Sequence, residues 1–220
     1  TFLDRQFAAE YAALFEVTLP GLVGLGLPFP LGGTSNHFRI DVLRAVGGWD
    51  AWNVTEDADL GFRLWRHGWR LGLISRPTWE TPPGPLEHWL PQRTRWLKGY
   101  MQTWGVHSRD PFGLGLRGLV ALVMTLGVAL VSAALHAPSL AWVASAVLVA
   151  GFAGLSPATP LLALAVLALG VAAAWLTCAV GAKRAGLPYH PFVWDKTRHR
   201  ADPVEAVDTD AASDSGRQAA

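Results

Sequence analysis

Thr55-Glu56-Asp57 and, further along the chain, Gln92-Arg93-Thr94-Arg95-Trp96 are the two stretches around which this sequence is organised. The first lies at the start of a helix predicted over residues 56–67. Thr55 stands where an N-cap residue would be, acidic residues fill the first turn, and Gly68 lies where the helix should end. This pattern predicts that Asp57 presents its carboxylate at a helix N-terminus.

The second stretch lies inside another predicted helix, residues 85–104. Gln92, Arg95 and Trp96 are spaced i, i+3 and i+4, so an amide, a guanidinium and an indole share one face. Gly99 continues that face without a side chain, which predicts the close approach of a ligand or of backbone. The helix is therefore predicted to present a polar, cationic and aromatic surface.

Together the two stretches supply the chemistry of group transfer. A carboxylate can accept a proton, and a guanidinium fork can hold a phosphate group of an activated donor. Each stretch also has a structural interpretation. Acidic residues at a helix start are commonly caps, and Arg with Trp on one face is common on surface helices beside a membrane or an interface. The occurrence of both, in this order, favours transfer.

The triplet T-E-D followed by Q-x-x-R-W resembles the membrane-embedded family 2 glycosyltransferases, the group that contains cellulose, chitin and hyaluronan synthases. Further stretches are similar to the bacterial cellulose-synthase-like branch, and the likeness covers most of residues 1–200. These stretches are PLGGTSNHFR (30–39), GGWD (47–50), NVTEDADLG (53–61), KGYMQTW (98–104) and FVWDKT (192–197). The likeness is specific for the family and weak for the sugar.

The resemblance implies a fold and a mechanism. The fold would be α/β, with the C-terminal half of a GT-A type (nucleotide-diphospho-sugar transferase) domain followed by transmembrane helices. Asp57 would be the general base of an inverting transfer, in one displacement that gives a β-linked product. Gln92, Arg93 and Arg95 would hold the departing diphosphate, and Trp96 would form the floor of the acceptor site.

The remaining acceptor contacts are predicted at Glu56 and in the bend of residues 32–36. The small residues of that bend fit a plain turn equally well. The resemblance places the bend beside the acceptor sugar, where Thr34, Ser35 and Asn36 could bond hydroxyl groups. Glu56 would position either the acceptor or the neighbouring helix end.

No metal site is predicted in this chain. Its seven histidines lack metal-ligand spacing, and a single cysteine, Cys178, allows neither an intrachain disulfide nor a thiolate site. The resemblance implies a Mg²⁺ or Mn²⁺ ion held by a D-x-D pair earlier in the enzyme. Asp57-Ala58-Asp59 has that spacing but belongs to the T-E-D stretch. We therefore expect the chain to be the C-terminal half of a longer synthase, and this half alone to be inactive.

A long apolar region indicates a membrane. Residues 118–182 contain no Lys, Arg, Asp or Glu, and cationic residues flank both ends, which favours the cytoplasm for both ends. A crossing needs about 20 apolar residues. Two crossings plus one re-entrant or interfacial segment, the first run, satisfy both constraints. The three apolar runs are residues 119–135, 140–155 and 160–181.

Shorter elements are predicted from periodicity and turn residues. Residues 2–16 have a helical period, which favours a helix on the domain core over one on a membrane surface. An apolar loop is expected over residues 20–28. A short helix at 41–46 should stop at Gly47-Gly48, and residues 70–75 should form a short strand.

These expectations divide the chain into four parts. Residues 1–110 would complete a cytoplasmic catalytic domain with an interfacial helix, and 111–182 would hold two or three transmembrane helices. Residues 183–200 would be a cytoplasmic signature segment, and 201–220 a disordered tail.

The expected partners follow from the same resemblance. They are a nucleotide-diphospho-sugar donor, a polysaccharide or glycolipid acceptor, and the bilayer of a bacterial inner membrane with the catalytic part in the cytoplasm. A net charge of +1 argues against nucleic acid. A glycolipid-making enzyme of the same family and a non-enzymatic membrane scaffold or transporter remain as alternatives.

Overall fold

The computed structural model describes residues 2–33, 35–76, 78, 80–154 and 158–187. Thr34, the 192–197 stretch and the 201–220 tail lie outside the described residues. Two π-helical turns, Leu14–Thr18 and Val123–Gly127, join α1 to α2 and α6 to α7, and a 3₁₀ turn at Phe112–Leu114 precedes α6. The helices are α1 Phe2–Ala13, α2 Leu19–Gly24, α3 Ile40–Ala45, α4 Glu56–Arg66, α5 Leu86–His107, α6 Gly115–Leu122, α7 Val128–Ala153 and α8 Ala158–Arg184.

Regular structure in the described residues is helical throughout, so the α/β class is not seen in this part of the chain. The predicted strand over residues 70–75 is wrong, since these residues are irregular. A strand needs a neighbouring strand to satisfy its backbone hydrogen-bonding groups, and none is present among the described residues. Of the apolar residues that suggested a strand, Leu71 contacts the core beside α3 and α4, whereas Leu73 and Ile74 are exposed.

The helix α4 confirms the helix predicted for residues 56–67. It ends at Arg66 with His67 as C-cap, and Gly68 follows at φ +81°, in the left-handed region that glycine favours. One side of α4 buries Leu60 and Leu64 against α3. The other side buries Phe62 against the start of the α6–α7 helix.

The helix α5 confirms the prediction for residues 85–104 and continues to His107. Gly99 is buried on the face that meets α4, and a Cβ atom built there would lie 2.1 Å from Thr55 Oγ1 and 2.6 Å from Thr55 Cβ. The predicted close approach at Gly99 is therefore made by the Thr55 side chain and not by a ligand. Thr55 is the N-cap residue of α4, as predicted, although its side chain makes no capping hydrogen bond.

Two helices are long and apolar enough to cross a membrane by length and composition, Phe112–Ala153 and Pro160–Arg184. The first spans 42 residues, about 60 Å at about 1.5 Å per residue, against about 30 Å for a bilayer core. Its first third packs on Phe62 of α4 through Ala121, Leu122 and Leu126. The remainder, α7, is therefore the part free to enter a membrane.

The predicted break between the first two apolar runs is wrong. Pro138 lies inside α7, and the helix continues through it. A proline removes one backbone hydrogen bond and commonly kinks a helix without ending it, because helix on both sides can hold the turn together. The first two runs therefore form one helix.

The helix predicted over residues 2–16 is confirmed as α1, but its expected packing on the domain core is not, because its main packing partner is α8. Phe7 and Ala12 of α1 are buried. A Cβ atom built at Gly181 of α8 would lie 2.6 Å from the backbone of Ala12, so the two helices touch closely. The loop predicted over 20–28 is wrong in its first half, which is α2 with Pro20 in its first turn, a position where proline lacks no needed donor.

We predict that Gly99→Ala destabilises the protein by about 1–3 kcal/mol, the usual cost of overpacking, because the added methyl group would overlap the whole Thr55 side chain. Gly105→Ala is the matched control on the same helix. Nothing lies within 4 Å of its added methyl group, so it should gain up to about 1 kcal/mol from helix propensity. Denaturation midpoints of the two variants test this, and equal midpoints would contradict the packing.

Candidate active site

The carboxylate of Asp57 lies half-buried in the first turn of α4, beside the bend of residues 32–36, which begins with Gly32 and Gly33 and is called the glycine bend below. Its Oδ1 accepts a hydrogen bond from the Ala58 N–H at 2.8 Å. A Cβ atom built at Gly33 would lie 3.2 Å from its Oδ2. Because a side chain at residue 33 would crowd this oxygen, the glycine bend keeps one face of Asp57 accessible.

The environment of Asp57 raises its pKa. Burial is the largest cause and the neighbouring charge of Glu56 adds to it, while the Ala58 N–H and the charge of Arg95 act in the opposite direction. A carboxylate with a raised pKa holds a proton more readily than an exposed one. This is the property that a general base at neutral pH requires.

Tyr100 adjoins Asp57 and was missed by the sequence analysis. Burial raises the pKa of its phenol, and the nearby charge of Asp57 raises it further. Tyr100 is i+4 from Trp96, so helical spacing already placed it near the polar face of α5. Its phenol remains protonated and can donate a hydrogen bond at this site.

The docking of α4 on α5 positions Asp57 through buried polar contacts. The segment before α4 bonds to the second half of α5, with Asn53 Nδ2 donating to Thr103 Oγ1 at 3.0 Å and the Val54 N–H donating to Gln102 Oε1 at 3.2 Å. One turn into α4, Asp59 Oδ1 contacts His107 Nε2 at 2.9 Å. These contacts fix the first turn of α4 along α5.

Asp59 has a structural role. Its Oδ2 accepts hydrogen bonds from Arg63 at 2.7 and 3.0 Å. Burial acts to raise the pKa of Asp59, but the His107 hydrogen bond and the Arg63 charge outweigh burial and leave the pKa below its ordinary value. Both carboxylate oxygens are therefore engaged, which agrees with the expectation that Asp57-Ala58-Asp59 is not a metal motif.

The described residues do not fit a resident divalent metal. Within them, no group of three or more His, Cys, Asp or Glu side chains could hold an ion. Asp59 is taken up by Arg63 and His107, and Asp57 lies beside the cation of Arg95.

Arg93 lies between two indoles and is held by α1. Its Nη2 bonds Glu10 Oε2 at 2.5 Å. Its guanidinium carbon lies 5.0 Å from the ring centre of Trp89 and 4.7 Å from that of Trp96. Arg93 therefore already has a bonded anionic partner, whereas the side chain of Arg95 is exposed.

A row of aromatic side chains on α1 and on the π-helical turn that follows it faces the same site. Phe7 stacks on Tyr11 at 4.2 Å between ring centres, and Tyr11 contacts Phe15 at 5.7 Å. Burial together with a hydrogen bond to Glu80 raises the pKa of Tyr11 to about 12. Phe15 continues to the glycine bend, since its Cζ lies 3.7 Å from a Cβ atom built at Gly32. The apolar stripe that predicted a core helix therefore also lines the site.

The two described residues of the predicted acceptor loop shape the bend. Asn36 Nδ2 donates to the carbonyl oxygen of Gly32 at 2.6 Å, and the Thr78 hydroxyl donates to Ser35 Oγ at 3.0 Å. Thr34 lies outside the described residues. The contacts of Ser35 and Asn36 hold the glycine bend against the chain that leads to α5.

Unpaired polar atoms are concentrated on the first half of α5. In the described part of the chain, Trp89 Nε1, Gln92 Oε1 and Arg93 Nε are buried atoms without a hydrogen-bond partner. Buried polar atoms are normally paired, so such a concentration marks a place where a polar ligand would be stabilised. Gln92 belongs to the predicted donor site, and Trp89 was missed because it precedes the motif.

A cleft of about 600 Å³ lies elsewhere, between Trp49, Trp52 and the ends of α4 and α5, and Asp57 is not among its lining residues. Its cationic groups have partners. Arg63 bonds Asp59, and Arg66 bonds His107 and Asp110. The two arginines of the cleft are therefore already paired, and the site at Asp57, beside the exposed Arg95, is the better candidate.

Comparison with known proteins identifies the family of this chain. The model for glycosyl transferase family group 2 matches residues 2–177. The chain belongs to this family. The resemblance to family 2 glycosyltransferases is thereby confirmed, and with it the transferase class.

Three curated relatives of this glycosyltransferase show the range of the family. β-Monoglucosyldiacylglycerol synthase of Synechocystis sp. is 34% identical over 122 residues, 51% of this chain and 24% of the relative. A probable glycosyltransferase of Bacillus subtilis is 34% identical over 68 residues, 30% of this chain and 16% of the relative. Probable glucomannan 4-β-mannosyltransferase 1 of Arabidopsis thaliana is 32% identical over 72 residues, 32% of this chain and 13% of the relative.

The aligned segments thus cover a quarter or less of each of these relatives. No solved structure matches the glycosyltransferase chain.

We predict that Asp57→Asn raises the thermal unfolding midpoint of this glycosyltransferase at neutral pH. The folded state raises the pKa of Asp57, so ionisation of Asp57 costs stability as pH rises from the ordinary value of 3.8 through the raised value. Asn removes that cost. The gain should disappear below pH 3.8, where the carboxyl is neutral in both states.

Asp59→Asn is the control of opposite sign. The pKa of Asp59 is lowered by folding, so its charge stabilises the folded state at neutral pH and this stability is lost as pH falls through the lowered value. Asp59→Asn should therefore lower the midpoint at neutral pH. A lowered midpoint for Asp57→Asn at neutral pH would contradict the assigned environment of Asp57.

Proposed function

We propose that this chain is part of an inverting glycosyltransferase that moves a sugar from a nucleotide-diphospho-sugar to a growing β-linked polysaccharide at a membrane. The observation that carries the proposal is the half-buried carboxylate of Asp57, with its raised pKa, beside Arg95 and the open glycine bend. A base and a phosphate-binding cation thus lie at one site in a chain of the family.

The proposed reaction is a single displacement. Asp57 takes the proton from the acceptor hydroxyl, whose oxygen forms a bond to the anomeric carbon of the donor. The bond between that carbon and the diphosphate oxygen breaks, and the nucleoside diphosphate leaves with the electron pair. One displacement inverts an α-linked donor to a β-linked product, and no carboxylate is assigned as a covalent nucleophile.

The donor side of the site is assigned to Arg95 and Gln92. The exposed guanidinium of Arg95 can approach the diphosphate as a bidentate donor, and Gln92 lies one turn earlier on the same face. Arg93 was predicted to share this role. The guanidinium of Arg93 is bonded to Glu10 and stacked on two indoles. We therefore propose that Arg93 holds the indole of Trp96 in place and does not itself bind the diphosphate.

The acceptor side is assigned to Trp96, with Glu56 and the bend of residues 34–36 beside it. An indole can cover the C–H face of a pyranose. The half-buried indole of Trp96 is held by Arg93 on α5. Ser35 and Asn36 shape the bend that lies against Asp57, and Thr34 keeps its proposed role from the sequence alone.

We further propose a GT-A type domain of the cellulose-synthase-like branch in a bacterial inner membrane. The helices α7 and α8 would cross the bilayer with α4 and α5 on the cytoplasmic side. The support is the pair of membrane-length helices and the cationic residues at both ends of the apolar region. A Mg²⁺ or Mn²⁺ ion is proposed for the part of the enzyme that precedes this chain.

A second candidate function is single sugar addition to a lipid. The observation that favours it is the likeness of 51% of this chain to a β-monoglucosyldiacylglycerol synthase. The length of the product separates the two functions. The full-length enzyme, given UDP-glucose or GDP-mannose, would extend an oligosaccharide repeatedly or add one sugar to diacylglycerol.

We predict that Asp57→Asn in the full-length enzyme retains donor binding and lowers sugar transfer by about a hundredfold or more, the usual effect of removing a general base. Radiolabelled donor gives both quantities, by equilibrium binding and by product formation. Asp41→Asn, which changes an exposed aspartate on α3, is the control and should retain transfer. Normal turnover by Asp57→Asn would remove this carboxylate from the mechanism.

We predict that Arg95→Lys remains badly impaired, with transfer lowered about tenfold or more, although the charge is kept. Lysine cannot reproduce the planar fork that binds two phosphate oxygens at once. Arg44→Lys on α3, also exposed, is the matched control. Full activity of Arg95→Lys would reduce the role of Arg95 to a diffuse positive field.

A further inference from the structure

Arg93 lies against the indoles of Trp89 and Trp96, and Trp96 is the residue proposed to bind the acceptor. The guanidinium of Arg93 lies within stacking distance of both indoles, at 5.0 and 4.7 Å from their ring centres. A cation on an aromatic face is attracted by the ring electrons, and more strongly where water is partly excluded. The orientation of the Trp96 indole therefore depends on where Arg93 is held.

Glu10 of α1 determines where Arg93 is held. One carboxylate oxygen of Glu10 bonds Arg93, and the other accepts a hydrogen bond from Gln6 at 3.0 Å. The side chains of Arg93 and Glu10 are 24% and 31% exposed, so the pair is partly shielded from solvent. Removal of one charge from such a pair leaves the other without a partner and free to move.

The helix that carries Glu10 is itself fixed from its opposite side. Gly181 of α8 packs on the backbone of Ala12, and Arg184 Nη1 donates to the carbonyl oxygen of Glu16 at 2.8 Å. Contacts therefore run without a break from α8 through α1 to Arg93.

We infer that Glu10 is a positioning residue for the acceptor, which acts by holding Arg93 against the indole of Trp96. The inference rests on the proposed function, in which Trp96 forms the floor of the acceptor site. Glu10 contacts neither the sugar nor the diphosphate in this role. Loss of its charge should therefore weaken acceptor binding and leave donor binding and the chemical step intact.

The test uses the full-length enzyme in membranes, with whichever of UDP-glucose or GDP-mannose the wild type accepts. Diacylglycerol in mixed micelles or a β-1,4-linked oligosaccharide serves as the acceptor. Kinetics are measured for Glu10→Gln, Arg93→Gln and the double variant. Glu16→Gln is the matched control, because it removes the same charge from the helical segment that continues α1, away from Arg93.

For Glu10→Gln we expect the KM for acceptor to rise about tenfold, the change that about 1.4 kcal/mol produces. The kcat at saturating acceptor, the KM for donor and the constants of Glu16→Gln should stay close to wild type. Because Glu10 acts through Arg93, the double variant should bind acceptor no worse than Arg93→Gln alone. Glu10→Asp, which keeps the charge with a shorter reach, should lie between wild type and Glu10→Gln.

Three results would overturn the inference while leaving the proposed function standing. The first is an unchanged KM for acceptor in Glu10→Gln, and the second is a fall in kcat of Glu10→Gln without a rise in that KM. The third is a KM for acceptor in the double variant that equals the combined rises of the two single variants. If Arg93→Gln fails to fold, the KM values for acceptor of Glu10→Gln, Glu10→Asp and Glu16→Gln still test whether Glu10 positions the acceptor site. Absence of transfer by the wild type with either donor and either acceptor would overturn the proposed function, and this inference with it.

Discussion

The close contact between α4 and α5 is the constraint on which the candidate site depends. Gly99 lets the Thr55 side chain touch the α5 backbone. On either side of that point, polar bonds from Asn53 to Thr103 and from Asp59 to His107 fix the register of the two helices. A bulkier residue at position 99 would separate the helices just where Asp57 meets the polar face of α5.

The two aspartates of α4 show how one helix serves both stability and chemistry. Asp59 is buried with partners for both oxygens, and its pKa is lowered. Asp57, two residues earlier, is half-buried and accepts a hydrogen bond from the Ala58 N–H, and its pKa is raised. The aspartate that stabilises the fold is thus separate from the aspartate proposed as the base, although the sequence presents them as similar acids.

Local sequence patterns predicted the helices well and their partners poorly. The cap residues and the apolar periodicity of α4 and α5 are properties of neighbouring residues in the chain, so both helices could be predicted from the sequence. The contact of Gly99 with Thr55, and that of Glu10 with Arg93 across 83 positions, depend on how distant segments pack. The strand predicted over residues 70–75 failed for the same reason, because a strand needs a neighbouring strand and the local sequence does not show whether one lies beside it.

The position of α1 explains why an amphipathic helix is needed beside this site. One face packs against α8, a helix with the length and composition of a membrane span, at Gly181. Its other face carries Glu10 and Tyr11, which bond the polar residues Arg93 and Glu80. A polar site cannot pack directly on a fully apolar helix without leaving its hydrogen-bonding groups unsatisfied. By placing small residues on one side and acidic and aromatic residues on the other, α1 joins the two environments.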